Sequence, residues 1–259
     1  EIGGYSFVYF TNLKYKVFFG LLAFVLIFGV ISVVTILIRR NLIRYIKENN
    51  MPQRKMPLFS AAFAVALIGA FITKGMFFEK ALNFLYSSEF GMDAPILGGD
   101  IGYYVFQRPF LMALYEFASS LWVFVILYTA AYYLIIMLSL FENFTLQELK
   151  VKSIVRHNLV NIAIFFLIKT VSYTFSKEGI LYGTVVKVTG AGFIDEKIWL
   201  NYFKIAPFLL VVIAAFAIYM VYKGRMRKAA YAIAIYPAVW IIVSVAAAFV
   251  QGVIVKPNE

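Results

Sequence analysis

The chain has 259 residues, of which 63% are hydrophobic and only 14% are charged. A soluble domain is roughly one half apolar and one quarter charged, so a lipid bilayer is the natural solvent for this composition. The absence of cysteine excludes disulfides, thiolate nucleophiles and cysteine-based metal sites. The net charge of +11 is typical of a membrane protein with basic cytoplasmic loops, and we prefer this interpretation to nucleic-acid binding.

Six stretches are apolar enough for helices that cross a bilayer, each of which needs about 20 residues. The sequence predicts an all-α membrane protein, a polytopic bundle of six transmembrane helices with an ordered extracytoplasmic loop cap. We treat residues 1–259 as a single transmembrane domain. Pro237 lies inside the sixth helix and is expected to kink it. The predicted helices span about 15–38, 57–77, 110–140, 158–175, 205–222 and 229–253.

The loops after the first, third and fifth predicted helices carry more Lys and Arg than Asp and Glu. Because basic loops stay in the cytoplasm, the outer side has the longer loops 78–109 and 176–204, and both ends of this chain are extracytoplasmic. The chain opens at Glu1 without a signal peptide. We therefore expect an excerpt that lacks a preceding helix.

The most informative outer stretch is Asp93 to Phe110, which reads DAPILGGDIGYYVFQRPF. Its glycines, prolines and aromatic residues indicate an ordered cap over the helix ends. Asp93, Asp100 and Arg108 are the candidate organisers of this loop. The two aspartates are also hard oxygen ligands of the kind that Ca²⁺ prefers, but their spacing matches no EF-hand loop.

Four shorter patterns predict local structure. Residues 77–90 are amphipathic and predict a helix that lies in the outer interface. Residues 101–107 are rich in Tyr, Val and Phe and predict an extended or irregular segment. Residues 180–193 are rich in Val, Thr and Gly and predict a short hairpin or a loop rather than a helix. Ala62, Ala66 and Ala70 form a row of small residues that favours close helix packing.

Three charged residues fall inside or near the ends of predicted helices, toward the outer leaflet: Lys74, Glu116 and Lys169. A charge at such depth costs several kcal/mol unless it is paired, hydrated or able to reach the headgroups, so these residues form a candidate polar intramembrane site. For Lys74 we favour a side chain that extends to the headgroups. For Lys169, a structural pair with Glu116 and a polar site for a substrate or ion stay open as alternatives.

No sequence motif indicates a reaction. The chain has no HExxH, GxSxG, Walker or dinucleotide-binding fingerprint. The single histidine, His157, has no carboxylate at helical spacing, so an interfacial position is a better interpretation than a metal ligand. We therefore predict no catalytic residue, no metal site and no cofactor, and expect that the chain is not an enzyme.

The stretch DAPILGGDIGYYVFQRPF resembles the segment DPIFGKDIGFYVFQLPF that is typical of the UPF0182 family of bacterial membrane proteins. Three further pieces are similar in order, and one of them places Lys169 on a lysine of the family. EIGGY, LIKTVSY and VIVKPNE resemble the family's ELGY, LLKAWGY and VVEPNE. The match departs from the pattern at Ala94, which adds a residue, and after Tyr182, where the usual GASYTDV is replaced by GTVVKVTGAGFID.

The resemblance implies a multi-pass protein of the bacterial plasma membrane, with seven membrane helices followed by a large extracytoplasmic domain. It implies no activity. The leading hypothesis is a region that anchors and scaffolds that domain. The alternative is a transporter or channel for a lipid, ion or envelope precursor, which a continuous polar cavity at Lys169 would favour. An intramembrane enzyme is the least favoured.

The expected partners follow from the same interpretation. They are the lipid bilayer and an envelope or lipid molecule, and nucleic acid is not expected. Nothing in the sequence supports a homo-oligomer.

Overall fold

The computed structural model describes residues 3–52, 56–57, 59–94, 98–141, 151–180, 184–185, 188–189 and 191–255. The chain divides into two compact units, Glu1–Lys150 and Val151–Glu259. In the first unit the helices are α1 (Gly3–Glu48), α2 (Phe59–Thr73), α3 (Phe78–Leu85) and α4 (Arg108–Leu140). In the second unit the elements are α5 (Lys152–Gly179), β1 (Thr184–Val185), β2 (Val188–Thr189), α6 (Leu200–Tyr222) and α7 (Met226–Val250).

In the part of the chain that the structure describes, three single π-helical turns extend these helices. They are Tyr103–Gln107 before α4, Asp195–Trp199 before α6 and Gln251–Val255 after α7. With these turns included, five helices in the described part of the chain are long and apolar enough to cross a membrane. The pair of α2 and α3, bent by 61°, gives a sixth if it is counted as one span. The prediction of an all-α, polytopic membrane bundle is confirmed.

Helix ends differ from the predicted ones for local reasons. The helix α1 has 46 residues and continues well beyond the apolar segment at 15–38, because no proline interrupts the chain between its ends. The second helix is predicted to end at residue 77, but α2 ends at Thr73. A turn at residues 74–76 follows, and the chain then continues as α3.

In the first unit, α1 packs against both α2 and α4. The small residues of α2 make this approach close: Ala62 and Ala66 are fully buried. A Cβ atom added to Gly69 would lie 2.6 Å from the Cδ1 atom of Ile27 in α1. The prediction that the small-residue row serves packing is therefore confirmed.

Hydrogen bonds between side chains join α1 to α4 near the opposite end of the unit from α3. The hydroxyl groups of Thr35 and Tyr128 are 2.8 Å apart, and Asn41 donates to the Tyr133 hydroxyl at 3.0 Å. Thr35 and Tyr133 are fully buried. Because a buried polar group without a partner is costly, these pairs constrain how α1 and α4 align.

In the second unit, α6 packs against both α5 and α7. Small residues of α6, Ala206, Ala214 and Ala217, are buried at these contacts. Pro207 lies inside α6 and Pro237 inside α7. The predicted hairpin is confirmed by β1 and β2, which pair antiparallel with Thr184 opposite Thr189.

The prediction of an extended segment at residues 101–107 is wrong, because these residues are helical and lead into α4. The carboxylate of Asp100 accepts a hydrogen bond from the N–H of Gly102 at 2.6 Å, as a residue at a helix start does. Phe106 packs on Phe90 with ring centroids 5.7 Å apart. Capping and packing therefore override the strand preference of Tyr, Val and Phe.

The substitution Ala66→Leu tests the close packing of α1 and α2. Extra methylene groups at this fully buried position are expected to destabilise the protein by about 1–3 kcal/mol, seen as a lower Tm in detergent. The matched control is Ala64→Leu, since Ala64 lies on the exposed face of the same helix. Equal Tm values for the two variants would contradict the packing described here.

Candidate functional site

A cavity of about 530 Å³ lies in the second unit, at the end where α5 ends and α6 begins. Helix α5 contributes Lys169, Ser172, Tyr173 and Ser176 to its lining. These positions are spaced by three and four residues, so one face of α5 presents all of them. The cavity therefore has a lysine and hydroxyl groups along one wall.

The other walls come from α6, its preceding turn and α7, and they are largely aromatic. The turn contributes Asp195 and Trp199, and α7 contributes Tyr236 and Trp240. Trp199 packs against Tyr202 of α6, with ring centroids 6.0 Å apart. The result is an open cavity with aromatic walls and polar groups that converge from different helices, which is the usual composition of a ligand site.

Three tyrosine hydroxyls meet at this cavity. The hydroxyl of Tyr173 lies 2.9 Å from that of Tyr236 and 3.2 Å from that of Tyr202. Tyr173 and Tyr202 are 4% and 8% exposed, so their rings are held in place by packing. Each hydroxyl can donate one hydrogen bond and accept others, so the cluster can serve either a donor or an acceptor on a ligand.

The charged groups of the cavity are Lys169 and Asp195. Lys169 is partly buried, and no ion pair joins it to Asp195 or to another described residue of the second unit. Asp195 accepts a hydrogen bond from the N–H of Gly192 at 3.0 Å, which orients its carboxylate. The ammonium group of Lys169 thus lines the cavity without a carboxylate partner from this unit.

The other two candidates for the polar intramembrane site lie in the first unit. Lys74 is exposed in the turn after α2, and its Nζ atom lies 3.7 Å from the centroid of the Phe71 ring. Glu116 is partly buried on α4 and lines a separate cavity of about 410 Å³. Lys169 belongs to the second unit, and its pairing with Glu116 stays a prediction.

Backbone N–H groups of the loop before α4 donate hydrogen bonds to the carboxylate of Asp100. The N–H groups of Phe90 and Gly102 donate to its Oδ1 atom, and that of Gly91 donates to Oδ2 at 2.7 Å. Asp93 and Asp100 form an isolated antiparallel backbone bridge. Because both oxygens of Asp100 already face N–H donors, the carboxylate is poorly placed to bind a cation.

Glycines make this loop geometry accessible. Gly91, Gly98 and Gly99 have φ values of 66°, 66° and 83°, a region that other residues rarely adopt. A Cβ atom at Gly102 would collide with the carbonyl oxygen of Ser88. The loop then leads to Arg108 and Pro109 in the first turn of α4. The roles of Asp93, Asp100 and Arg108 as organisers stay predictions.

Sequence reasoning missed several residues of the second unit. Glu178 is only 6% exposed, although the sequence predicts that it lies in the loop 176–204. The tyrosine cluster was also missed, since its members come from three helices. The spacing of Lys169, Ser172, Tyr173 and Ser176 was the available signal. Among the described residues, no group of three His, Asp or Glu side chains is arranged to hold a metal ion.

The fold and the cavity define a polytopic helical membrane protein with a polar pocket near one end of its second unit. Residues 1–259 match the family described as "Uncharacterised protein family (UPF0182)". The chain belongs to this family.

Curated relatives agree with this membership. A UPF0182 protein of Caldicellulosiruptor saccharolyticus is 29% identical over 265 residues, which cover 100% of this chain and 29% of the relative. A UPF0182 protein of Clostridium perfringens strain SM101 is 25% identical over 274 residues, covering 99% of this chain and 29% of the relative. The chain thus spans less than a third of the length of these relatives. No solved structure is significantly similar to it.

The pKa of Asp100 predicts how the loop before α4 responds to acid. The hydrogen bond from Phe90, with those from Gly102, Gly91 and Met92, lowers the pKa of this carboxyl below its ordinary value of 3.8. The charged form therefore stabilises the loop above that pH, and the stabilisation is lost as the pH falls through the lowered pKa. We expect amide protection at Gly91 and Gly102, measured by hydrogen exchange and corrected for intrinsic rates, to fall only below about pH 4.

The variant Asp100→Asn is expected to lower this protection about threefold to tenfold at pH 7 and to remove its dependence on acid. Asp93→Asn is the matched control, because the Asp93 carboxylate accepts no hydrogen bond from another described residue. An unchanged pH profile in Asp100→Asn would contradict the assigned cause.

Proposed function

We propose that this chain is a membrane-embedded binding region whose Lys169 cavity holds the anionic headgroup of an amphiphile, either a lipid or an envelope precursor. The observation that carries this proposal is the cavity itself, which reaches Lys169 along one face of α5. A lysine buried in a solid bundle would instead support a purely structural role. The expectation that the chain is not an enzyme stays a prediction.

The side chains around the cavity suit a phosphate-bearing headgroup. The Lys169 ammonium is a point charge that pairs with phosphate, and Ser176 and the tyrosine hydroxyls can donate to its oxygens. Asp195 can accept hydrogen bonds from hydroxyl groups on a glycerol or sugar. Trp199 and Trp240 offer apolar surface to the carbon skeleton of the ligand.

Charge asymmetry supports an extracytoplasmic opening for this cavity. The connection between α6 and α7 carries Lys223 and Arg225, and the first turn of α7 carries Arg227 and Lys228, which favours a cytoplasmic position for this end of the two helices. The cavity lies at the other end of these helices, where α5 ends and α6 begins. A ligand would therefore enter from the outer leaflet or from the extracytoplasmic water. Transport of such a ligand would begin with this binding step.

A second candidate function is the anchoring of an extracytoplasmic domain. Its support is that the chain covers only 29% of the length of relatives in C. saccharolyticus and C. perfringens. Anchoring requires the apolar helices but makes no use of a lysine with hydroxyl neighbours. The two functions are compatible, and only the first predicts a ligand.

The variant Lys169→Met tests the binding proposal. Loss of a charged hydrogen-bond partner is expected to weaken binding of phosphatidylglycerol to the purified protein about tenfold to a hundredfold. Lys169→Arg is expected to retain most of the affinity. The measurement is the lipid-dependent increase in Tm in detergent, with phosphatidylcholine and inorganic phosphate as separate arms.

The matched control is Lys177→Met, since Lys177 also lies on α5 but does not line the cavity. Stabilisation by inorganic phosphate alone would identify a free anion as the ligand. Equal affinities of the wild-type protein, Lys169→Met and Lys177→Met for phosphatidylglycerol would overturn the proposal and leave anchoring as the supported function.

A further inference from the structure

The first unit contains a second cavity, with walls that differ in character from those around Lys169. Helices α2 and α4 form its two sides, and Ile27 of α1 lies between them. This groove, of about 410 Å³, exists because α2 and α4 both pack on α1. Gly69 allows the close approach of α1, and Ile27 is 4% exposed.

The lining of the groove is apolar except at one end. On α4, Glu116, Phe117, Ser120, Leu121 and Phe124 follow the spacing of one helical face. On α2, the lining extends from Val65 to Thr73. Phe77, just beyond α2, packs on Phe117 with ring centroids 5.7 Å apart, so the end of α2 lies beside the start of this face. Thr73 and Glu116 therefore mark the same, polar end of the groove.

The dimensions suit one acyl chain. Each of the stretches 65–73 and 116–124 extends about 12 Å along its helix, at about 1.5 Å a residue. One leaflet of the hydrocarbon core is about 15 Å thick. The groove thus has the length of a leaflet, apolar walls and a polar group at the end nearest α3, which is the layout that an amphiphile requires.

Charge complementarity selects the headgroup. Glu116 is partly buried, and within the described residues of the first unit it has no hydrogen bond or ion pair. A carboxylate among apolar helices is costly unless a cation or a donor meets it. Thr73 is not the donor for Glu116, because its hydroxyl group donates to the Gly69 carbonyl oxygen at 2.9 Å. A lipid with a primary ammonium headgroup supplies both the cation and the N–H donors.

We propose that the groove between α2 and α4 binds a diacyl lipid with a primary ammonium headgroup, with an acyl chain along Ile68, Ile72 and Leu121 and the ammonium group on Glu116. This site differs from the Lys169 cavity in its unit, its apolar lining and the sign of its charge. The proposal requires that α2 and α4 lie in the membrane, and it does not depend on the ligand proposed for Lys169.

Native mass spectrometry of the purified Lys169→Met protein, in which the Lys169 cavity no longer favours phosphatidylglycerol, tests this site with equal amounts of phosphatidylethanolamine and phosphatidylglycerol. The Lys169→Met protein is expected to retain phosphatidylethanolamine in preference. Adding Glu116→Gln, which keeps the shape of the side chain, is expected to lower that preference about tenfold. The matched control adds Glu79→Gln instead, since Glu79 is an exposed carboxylate on α3, and the preference should then remain that of the Lys169→Met protein.

A second variant, Ser120→Trp, fills the groove while keeping the carboxylate, and it is expected to lower retention of phosphatidylethanolamine as well. Equal retention of the two lipids by the Lys169→Met protein would overturn the proposal. A preference that survives both Glu116→Gln and Ser120→Trp would also overturn it, because the lipid would then bind elsewhere. Equal retention of phosphatidylethanolamine by the wild-type and Lys169→Met proteins would separate this site from the Lys169 cavity, where only retention of phosphatidylglycerol is expected to fall.

Discussion

A charged side chain among apolar helices must meet water, an opposite charge or a lipid headgroup, and this requirement governs the placement of polar groups in the chain. Translocon-based scales put the cost of an unpaired charge at the centre of a membrane helix at about 2.5–3.5 kcal/mol. Lys74 avoids this cost at an exposed turn, with its ammonium over the Phe71 ring. Lys169 and Glu116 instead line cavities. Our proposals for both sites follow from this difference.

Close helix packing is the second condition on which the sites depend. In the first unit, Ala62, Ala66 and Gly69 bring α2 against α1 and leave a groove on the side of α4. In the second unit, buried alanines of α6 bring it against its neighbours, so that hydroxyl groups from three helices meet at Tyr173. Small residues therefore determine where the larger polar side chains converge.

Much of the fold could be predicted from the sequence, because long apolar runs specify membrane helices and polar breaks separate them. The ends of α1 could not, since flanking polar residues continue the helix without a local signal. Strand propensity predicts an extended or irregular segment at residues 101–107. This prediction is wrong because Asp100 caps a helix there. Propensity is a weak guide wherever a cap and an aromatic contact act together.

The candidate sites were predictable only in part. Lys169 and Glu116 could be singled out because charges are rare within apolar helices. The other residues of the Lys169 cavity could not, because Tyr202 and Tyr236 reach it from helices that are distant in sequence. Ser172, Tyr173 and Ser176 follow Lys169 at helical spacing and form the polar face of α5. A search for hydroxyl groups at that spacing would have identified this face.

The most direct test of the account is whether water reaches the Lys169 cavity from the extracytoplasmic side. Because these 259 residues contain no cysteine, a single introduced cysteine is the one thiol of this region. Intact cells carrying Ser176→Cys, on the cavity wall, are treated with a membrane-impermeant maleimide. Two comparisons are Val171→Cys, since Val171 is an apolar residue of α5 that is 48% exposed, and Arg227→Cys, in the basic first turn of α7.

The account predicts labelling of Ser176→Cys in intact cells, labelling of Arg227→Cys only after permeabilisation, and no labelling of Val171→Cys in either case. Labelling of Ser176→Cys only after permeabilisation, or not at all, would contradict an outward-facing polar cavity.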